Sequence, residues 1–390
     1  MGCNSGGFAC RDYVFHSESH EGISILQEVL GKSNADSFWK EGGSMRSVKK
    51  NVWNLLFLFL VFGLTVYGVF RGEDLTKLIA IMKRAHGIWL FCGVLCVVFF
   101  IWGESIIIYY LMGTLSVKLK KWTCFLFSSV GFFFSCITPS ASGGQPMQIY
   151  YMRKKNIPIP VSTLVLMIVT ITYKLVLVVI GVFVLLFGRG FIQKYLMGIR
   201  PVFYLGIALN VFCVSFMLLL VFHPALAKTI MIRGMHILEK MHVLKQKETR
   251  LHQLENSMEL YGDTAAFFKS HIKVIGNVFA ITFLQRTALF FTTYFVYLAF
   301  GLHGKSVVDI VLLQAIISVS VDMLPLPGGM GISEKLFLMI FVPIFGVDIL
   351  LPAMLLSRGL GYYTQLLLSA VMTIVAQFTI RTEREKEFVS

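Results

Sequence analysis

The chain has 390 residues, 56% hydrophobic and 14% charged, with a formal net charge of +14 and a mean hydropathy of +0.75. A soluble domain carries about a quarter charged residues, and several apolar stretches here exceed the roughly 20 residues that cross a bilayer. A soluble class is therefore excluded, an all-α polytopic integral membrane protein is expected, and the positive excess reads as Lys and Arg facing anionic headgroups rather than nucleic acid.

Residues 1–47 are polar and mixed in charge. They lack a basic stretch followed by an apolar one, so no cleavable signal peptide is expected. Met1-Gly2-Cys3 opens like a myristoylation site, but Gly6 stands where that pattern needs Ser or Thr. We read this segment as a weakly ordered cytosolic tail, with Met45, just ahead of Arg46, Lys49 and Lys50, as a candidate native start.

Apolar windows then run Val52–Phe70, His86–Met112, Thr123–Ile137, Val161–Phe187, Pro201–Phe222, Val274–Phe300, Val307–Leu324, Lys335–Phe345 and Ile349–Phe378. They predict about seven to nine membrane segments in a domain spanning 48–380, with a short cytosolic tail at 381–390. Cys92 and Cys96 share one apolar window, and Cys124, Cys136 and Cys213 lie in others, without metal-ligand companions. Packing is the reading for all five. The loop 223–270 is cytosolic and carries an amphipathic stretch, Met231–Leu254, expected to lie on the inner leaflet or on the bundle. His223, His236, His242, His252 and His271 in and around it lack ligand spacing. No nucleotide-binding, nucleophile-elbow or zinc-protease motif occurs, and no cofactor is expected.

Two segments break the apolar pattern: 138–146, containing Pro139, Gly143, Gly144, Gln145 and Pro146, and 324–331, containing Pro325, Pro327, Gly328 and Gly329. Backbone freed from a helix at membrane depth must find protein or water partners, and in transporters such breaks line the substrate cavity. Clusters of Lys and Arg before the first span, at Lys118–Lys121, in the 223–270 loop and after the last span all fit the cytoplasmic side if both broken segments are re-entrant hairpins. Both termini are then cytoplasmic. Each hairpin is flanked by two spans, and the two three-element units have opposite orientation. This is a pattern consistent with an inverted repeat.

Ionisable residues inside spans cost about 2.5–3.5 kcal/mol on insertion scales, so Glu104, Lys174, Arg286, Asp322, Glu334 and Arg358 are candidate site residues. Three cations suit an anionic substrate such as a lipid phosphate, and Thr170 and Tyr173 add polar lining beside Lys174. The alternative is that the cations pair with Glu104, Asp322 and Glu334 and lock helices together. Asp309, near a span end, reads as an interface residue. Pro146 fits the first position of a returning helix, Ser333 an N-cap, and Glu334 the first turn. Both helix starts would aim N–H groups at an anion.

The runs T-P-S-A-S-G-G-Q-P-M-Q-I-Y-Y at 138–151 and P-L-P-G-G-M-G-I-S-E at 325–334 resemble the lysylphosphatidylglycerol synthase transmembrane region, the flippase-like part of bacterial multiple-peptide-resistance proteins. The resemblance covers roughly 48–380. It implies a bacterial plasma-membrane protein that moves anionic or aminoacylated phospholipid between leaflets and so contributes to cationic-peptide resistance. In two-part members a cytosolic domain charges phosphatidylglycerol with lysine. This chain has only 381–390 after its last span, so that domain is not expected here, and a separate lipid aminoacyl synthase is the partner the resemblance suggests. The competing readings are a phosphatidylglycerol lysyltransferase or its membrane subunit, and a small-solute secondary transporter.

Overall fold

The computed structural model describes residues 80–240 and 248–380, the side chains of 234–255 excepted. The expected span Val52–Phe70 and both tails lie outside the described residues. Five runs among the described residues are long and apolar enough to cross a membrane: α1 (Gly87–Thr114), α4 (Ile159–Phe187), α6 (Arg200–Phe222), α9 (Ile272–Ala299) and a last run, Val347–Thr379. The shortest, at 23 residues, reaches about 35 Å at the helical rise, enough for the hydrocarbon core.

These helices are apolar all round, because one face meets lipid and the other meets protein. On α1, Phe91, Leu95 and Trp102 are exposed along one stripe, while Val97, Phe100, Ile101, Ile108 and Leu111 are buried on another. α1 packs along α9. A Cβ on Gly103 of α1 would stand 2.9 Å from the Gln285 side chain, so the small residue sets how closely these helices approach. Gln285 also donates from Nε2 to the Phe100 carbonyl at 2.9 Å.

Between α1 and α4 the chain forms α2 (Lys121–Ile137), a tight turn Pro139–Ala141, and α3 (Gly144–Arg153). A short α5 (Arg189–Tyr195), not anticipated from the sequence, precedes α6. In place of the single expected amphipathic stretch Met231–Leu254 there are α7 (Pro224–Lys240) and α8 (Glu248–Ser270). Residues 241–247 between them, and most side chains of the expected stretch, lie outside the described residues. The second half of α8 packs on the bundle: Met258, Tyr261, Ala265 and Phe268 are buried, and Tyr261 donates to the Leu220 carbonyl at 3.3 Å.

After α9 come α10 (Val307–Val321), a turn Pro327–Gly329, α11 (Ile332–Ile340), the single turn α12 (Val342–Phe345) and α13 (Val347–Arg358). The expected window Lys335–Phe345 is thus two pieces, divided just before Pro343, which has no N–H to continue the ladder. Phe337, Phe341 and Phe345 stack along this returning arm, with adjacent ring centroids 4.3 and 5.8 Å apart. The expected single span Ile349–Phe378 is interrupted by wide π-helical turns at Gly359–Thr364 before α14 (Gln365–Thr379). Such turns are uncommon and recur at functional sites.

The packing repeats itself. α1 touches α2, and α9 touches α10; α2 packs on α3, and α10 on α11; α3 lies on α4, and α11 on α13. Across the units, α2 packs on α14 as α10 packs on α4. The turns Pro139–Ala141 and Pro327–Gly329 pack on each other. Each three-element unit therefore packs span on hairpin and hairpin on the next span, and the broken ends of the two hairpins meet.

Candidate functional site

Both hairpins turn on a proline that opens a tight turn, but they achieve the turn differently. In the second, glycines supply the left-handed backbone: Gly328, Gly329 and Gly331 have φ of +57°, +65° and +83°. In the first, Ser140 and Ala141 take φ of +51° and +54°, while Gly143 is right-handed at −83°. The paired glycines of the broken segment 138–146, where the sequence leads one to expect the turn, therefore do not make it; Ser140 and Ala141 do. Left-handed backbone costs a residue with a Cβ roughly 1–2 kcal/mol, so Ser140 and Ala141 are held by their surroundings. Gly144 serves close approach instead: its Cβ would lie 2.7 Å from the Gly131 carbonyl oxygen, letting α3 fold back against α2.

Two expected helix starts also shift. Pro146 is the third residue of α3, not the first, still within the turn whose N–H groups lack helical partners. Gly331, not Ser333, stands at the N-cap of α11. Ser333 points its hydroxyl backward, to the Gly329 carbonyl at 2.9 Å and to Glu334 Oε2 at 3.2 Å. Glu334 falls in the first turn as expected.

The tips are joined by polar contacts. Ser140 Oγ donates to the Leu324 carbonyl at 3.4 Å. The Tyr362 hydroxyl, in the π-helical turns, donates to the Cys136 carbonyl at the end of α2 at 3.0 Å. A Cβ on Gly328 would fall 2.1 Å from the Tyr362 ring. Tyr362 therefore touches both hairpins. Sequence reasoning missed it, although its position four residues after Arg358 places both on one helical face. Thr138 Oγ1 accepts the Gly143 N–H at 2.9 Å.

Two of the predicted cations are ion-paired, each to the second hairpin. Lys174 Nζ on α4 lies 2.6 Å from Asp322 Oδ2, immediately after α10, and 2.9 Å from the Met323 sulfur. Arg358, the last residue of α13, donates from Nε to Glu334 Oε1 at 2.7 Å and from Nη2 to the Gly328 carbonyl at 2.9 Å. Its guanidinium stands 4.8 Å from the Tyr362 ring centroid. In the first unit the returning helix is joined to the next span by neutral groups: Gln145 Nε2 on α3 donates to Thr170 Oγ1 on α4.

The third cation differs. Arg286 on α9 is 3% exposed. Its guanidinium carbon stands over the Tyr173 ring, 3.7 Å from the centroid, with Phe290 at 5.4 Å. Among the described residues, Nε and Nη2 find no hydrogen-bond partner. Glu104 on α1 does not pair with it, against the pairing alternative for that residue. It accepts instead from Gln148 Nε2 at 2.8 Å, a contact that sequence reasoning missed. Gln148 reaches it across Gly131, where a Cβ would sit 2.3 Å from the amide nitrogen. Asp309 accepts from the Tyr195 hydroxyl at 3.2 Å, at the periphery. The arrangement thus ties the second hairpin to α4 and α13 by charge pairs, joins it to the first hairpin by neutral contacts, and leaves the Arg286 guanidinium without a counter-ion among the described residues.

A family model described as the lysylphosphatidylglycerol synthase TM region matches residues 51–369 of the chain. A comparison with curated proteins found no match.

Proposed function

The chain belongs to the lysylphosphatidylglycerol synthase TM-region family, and from that premise we propose that it moves an anionic or aminoacylated phospholipid, such as lysyl-phosphatidylglycerol, between the leaflets of a bacterial plasma membrane. The observation that carries this reading is the meeting of two broken hairpins inside one apolar bundle, the second latched to α4 by Lys174–Asp322 and to α13 by Arg358–Glu334. A lipid headgroup needs a polar path across hydrocarbon, and broken helices beside ionisable residues supply one. The latches neutralise their own charges in the closed arrangement and part to admit the headgroup. Gln145, Gln148 and Glu104 line the first hairpin's side of the path, and Gly143, Gly144, Gly328 and Gly329 let the backbone come close. Carrying lysylated lipid outward lowers the negative charge of the outer surface, which weakens its attraction for cationic peptides.

The test is a leaflet-resolved assay. The full chain is reconstituted into vesicles holding fluorescent phosphatidylglycerol or its lysyl ester, and a membrane-impermeant quencher reads the outer leaflet over time. Scrambling or directed transfer above protein-free vesicles is expected, and its loss in a Lys174→Ala/Arg358→Ala variant that still inserts. Rates equal to those of protein-free vesicles for both lipids would overturn the proposal.

A further inference from the structure

Resting on the lipid-moving reading above, we propose that Arg286, and not Lys174 or Arg358, is the seat for the substrate's phosphodiester. Lys174 and Arg358 already have carboxylate partners at 2.6 and 2.7 Å. Among the described residues Arg286 has none, and the two nitrogens left without a partner there, Nε and Nη2, form one edge of the guanidinium. That edge presents two parallel N–H donors, the fork that matches two oxygens of one phosphate. The guanidinium carbon stands over the Tyr173 ring, 3.7 Å from its centroid, a cation–π contact that holds the group while Nε and Nη2 stay available for an anion. A Lys could deliver charge here but neither the fork nor the stacking.

Keeping a guanidinium 3% exposed and unpaired is costly, because a buried charge without a counter-ion loses its hydration and gains nothing in return. An incoming phosphate removes that cost. The fork is covered in this closed arrangement, so the anion reaches it once the second hairpin leaves its Lys174 and Arg358 partners. The same argument assigns the ligand class: a monoanionic phosphodiester balances the single guanidinium charge.

The experiment measures binding of radiolabelled dioctanoyl-phosphatidylglycerol to the detergent-purified full chain, with dioctanoylglycerol (the same tails without phosphate) and inorganic phosphate as competitors. Arg286→Lys should weaken phosphatidylglycerol binding about tenfold or more, the scale of a charge-assisted hydrogen-bond pair. Dioctanoylglycerol should not compete, and inorganic phosphate should compete only weakly if the seat takes the lipid headgroup. Full competition by inorganic phosphate would overturn the lipid as ligand. Arg286→Met should abolish transfer while leaving the thermal midpoint of the unliganded protein equal or higher, because it removes an uncompensated charge. A lowered midpoint with transfer per molecule retained would mean that Arg286 only braces α9 against Tyr173, and the seat would be lost. Unchanged binding in Arg286→Lys would sink the seat but not lipid movement; absence of transfer in the wild type would sink the movement itself.

Discussion

Arg358 donates to two acceptors, the Glu334 carboxylate and the Gly328 carbonyl, so truncating it strands both. Glu334 is 5% exposed. Leaving a carboxylate buried without its cation costs about 3–5 kcal/mol. Arg358→Ala should therefore lower the thermal midpoint of the purified protein as well as stop lipid movement. The double variant Arg358→Met/Glu334→Met should recover much of the midpoint, because replacing both members of a buried pair by apolar groups is often neutral, yet it should not recover movement. A double variant as unstable as Arg358→Ala would show that the two residues do not act as a pair. The sequence placed both residues at membrane depth because charge there is expensive. It could not say which cation was paired, since pairing depends on where the hairpin tips land relative to α4 and α13.

The hairpins were legible as elements because proline and paired glycine interrupt otherwise unbroken apolar runs. How each turn is made was less legible. Gly328, Gly329 and Gly331 take the backbone that glycine favours, but in the first hairpin the neighbouring Ser140 and Ala141 do so, and nothing in their chemistry announces it. The π-helical turns at Gly359–Thr364 were hidden inside an apolar run because a wider turn leaves composition unchanged. Gly328→Ala tests how far the second tip depends on close approach. Left-handed backbone costs about 1–2 kcal/mol, and the overlap with Tyr362 adds about 1–3 kcal/mol of repacking. Gly301 is the control: its φ is +68° with nothing within 4 Å of an added Cβ, so Gly301→Ala should show the backbone cost alone. Thermal unfolding compares them. Equal losses at the two positions would mean that Tyr362 gives way freely and does not fix the tip.

At the scale of the whole molecule, both units pack span on hairpin and hairpin on the next span, an adjacency that says nothing of whether the units run in opposite directions. Hydropathy supplied the long helices nearly to their ends: His86–Met112 was expected where α1 spans Gly87–Thr114. Sidedness is a separate matter, set by which segments turn back. If both hairpins are re-entrant, Lys154, before α4, and Lys269, at the end of α8, share the cytoplasmic side. α9 then crosses, so Lys305 lies outside, and the second hairpin returns to that side, so Asp348 lies outside as well. Single cysteines at these four positions, in a chain cleared of its native cysteines and labelled in intact cells with an impermeant maleimide, should report Lys305 and Asp348 as accessible and Lys154 and Lys269 as protected. The Lys305–Asp348 comparison is decisive for the second hairpin, because α10 and the returning arm lie between them. If α10 (15 residues) and the shorter α11 and α12 together crossed the bilayer once, Asp348 would be protected while Lys305 labelled. The last run would then have to exit outward, against the basic cluster that follows it. Protection at Asp348 would therefore remove the re-entrant hairpin, the inverted repeat and the shared cavity between the tips together.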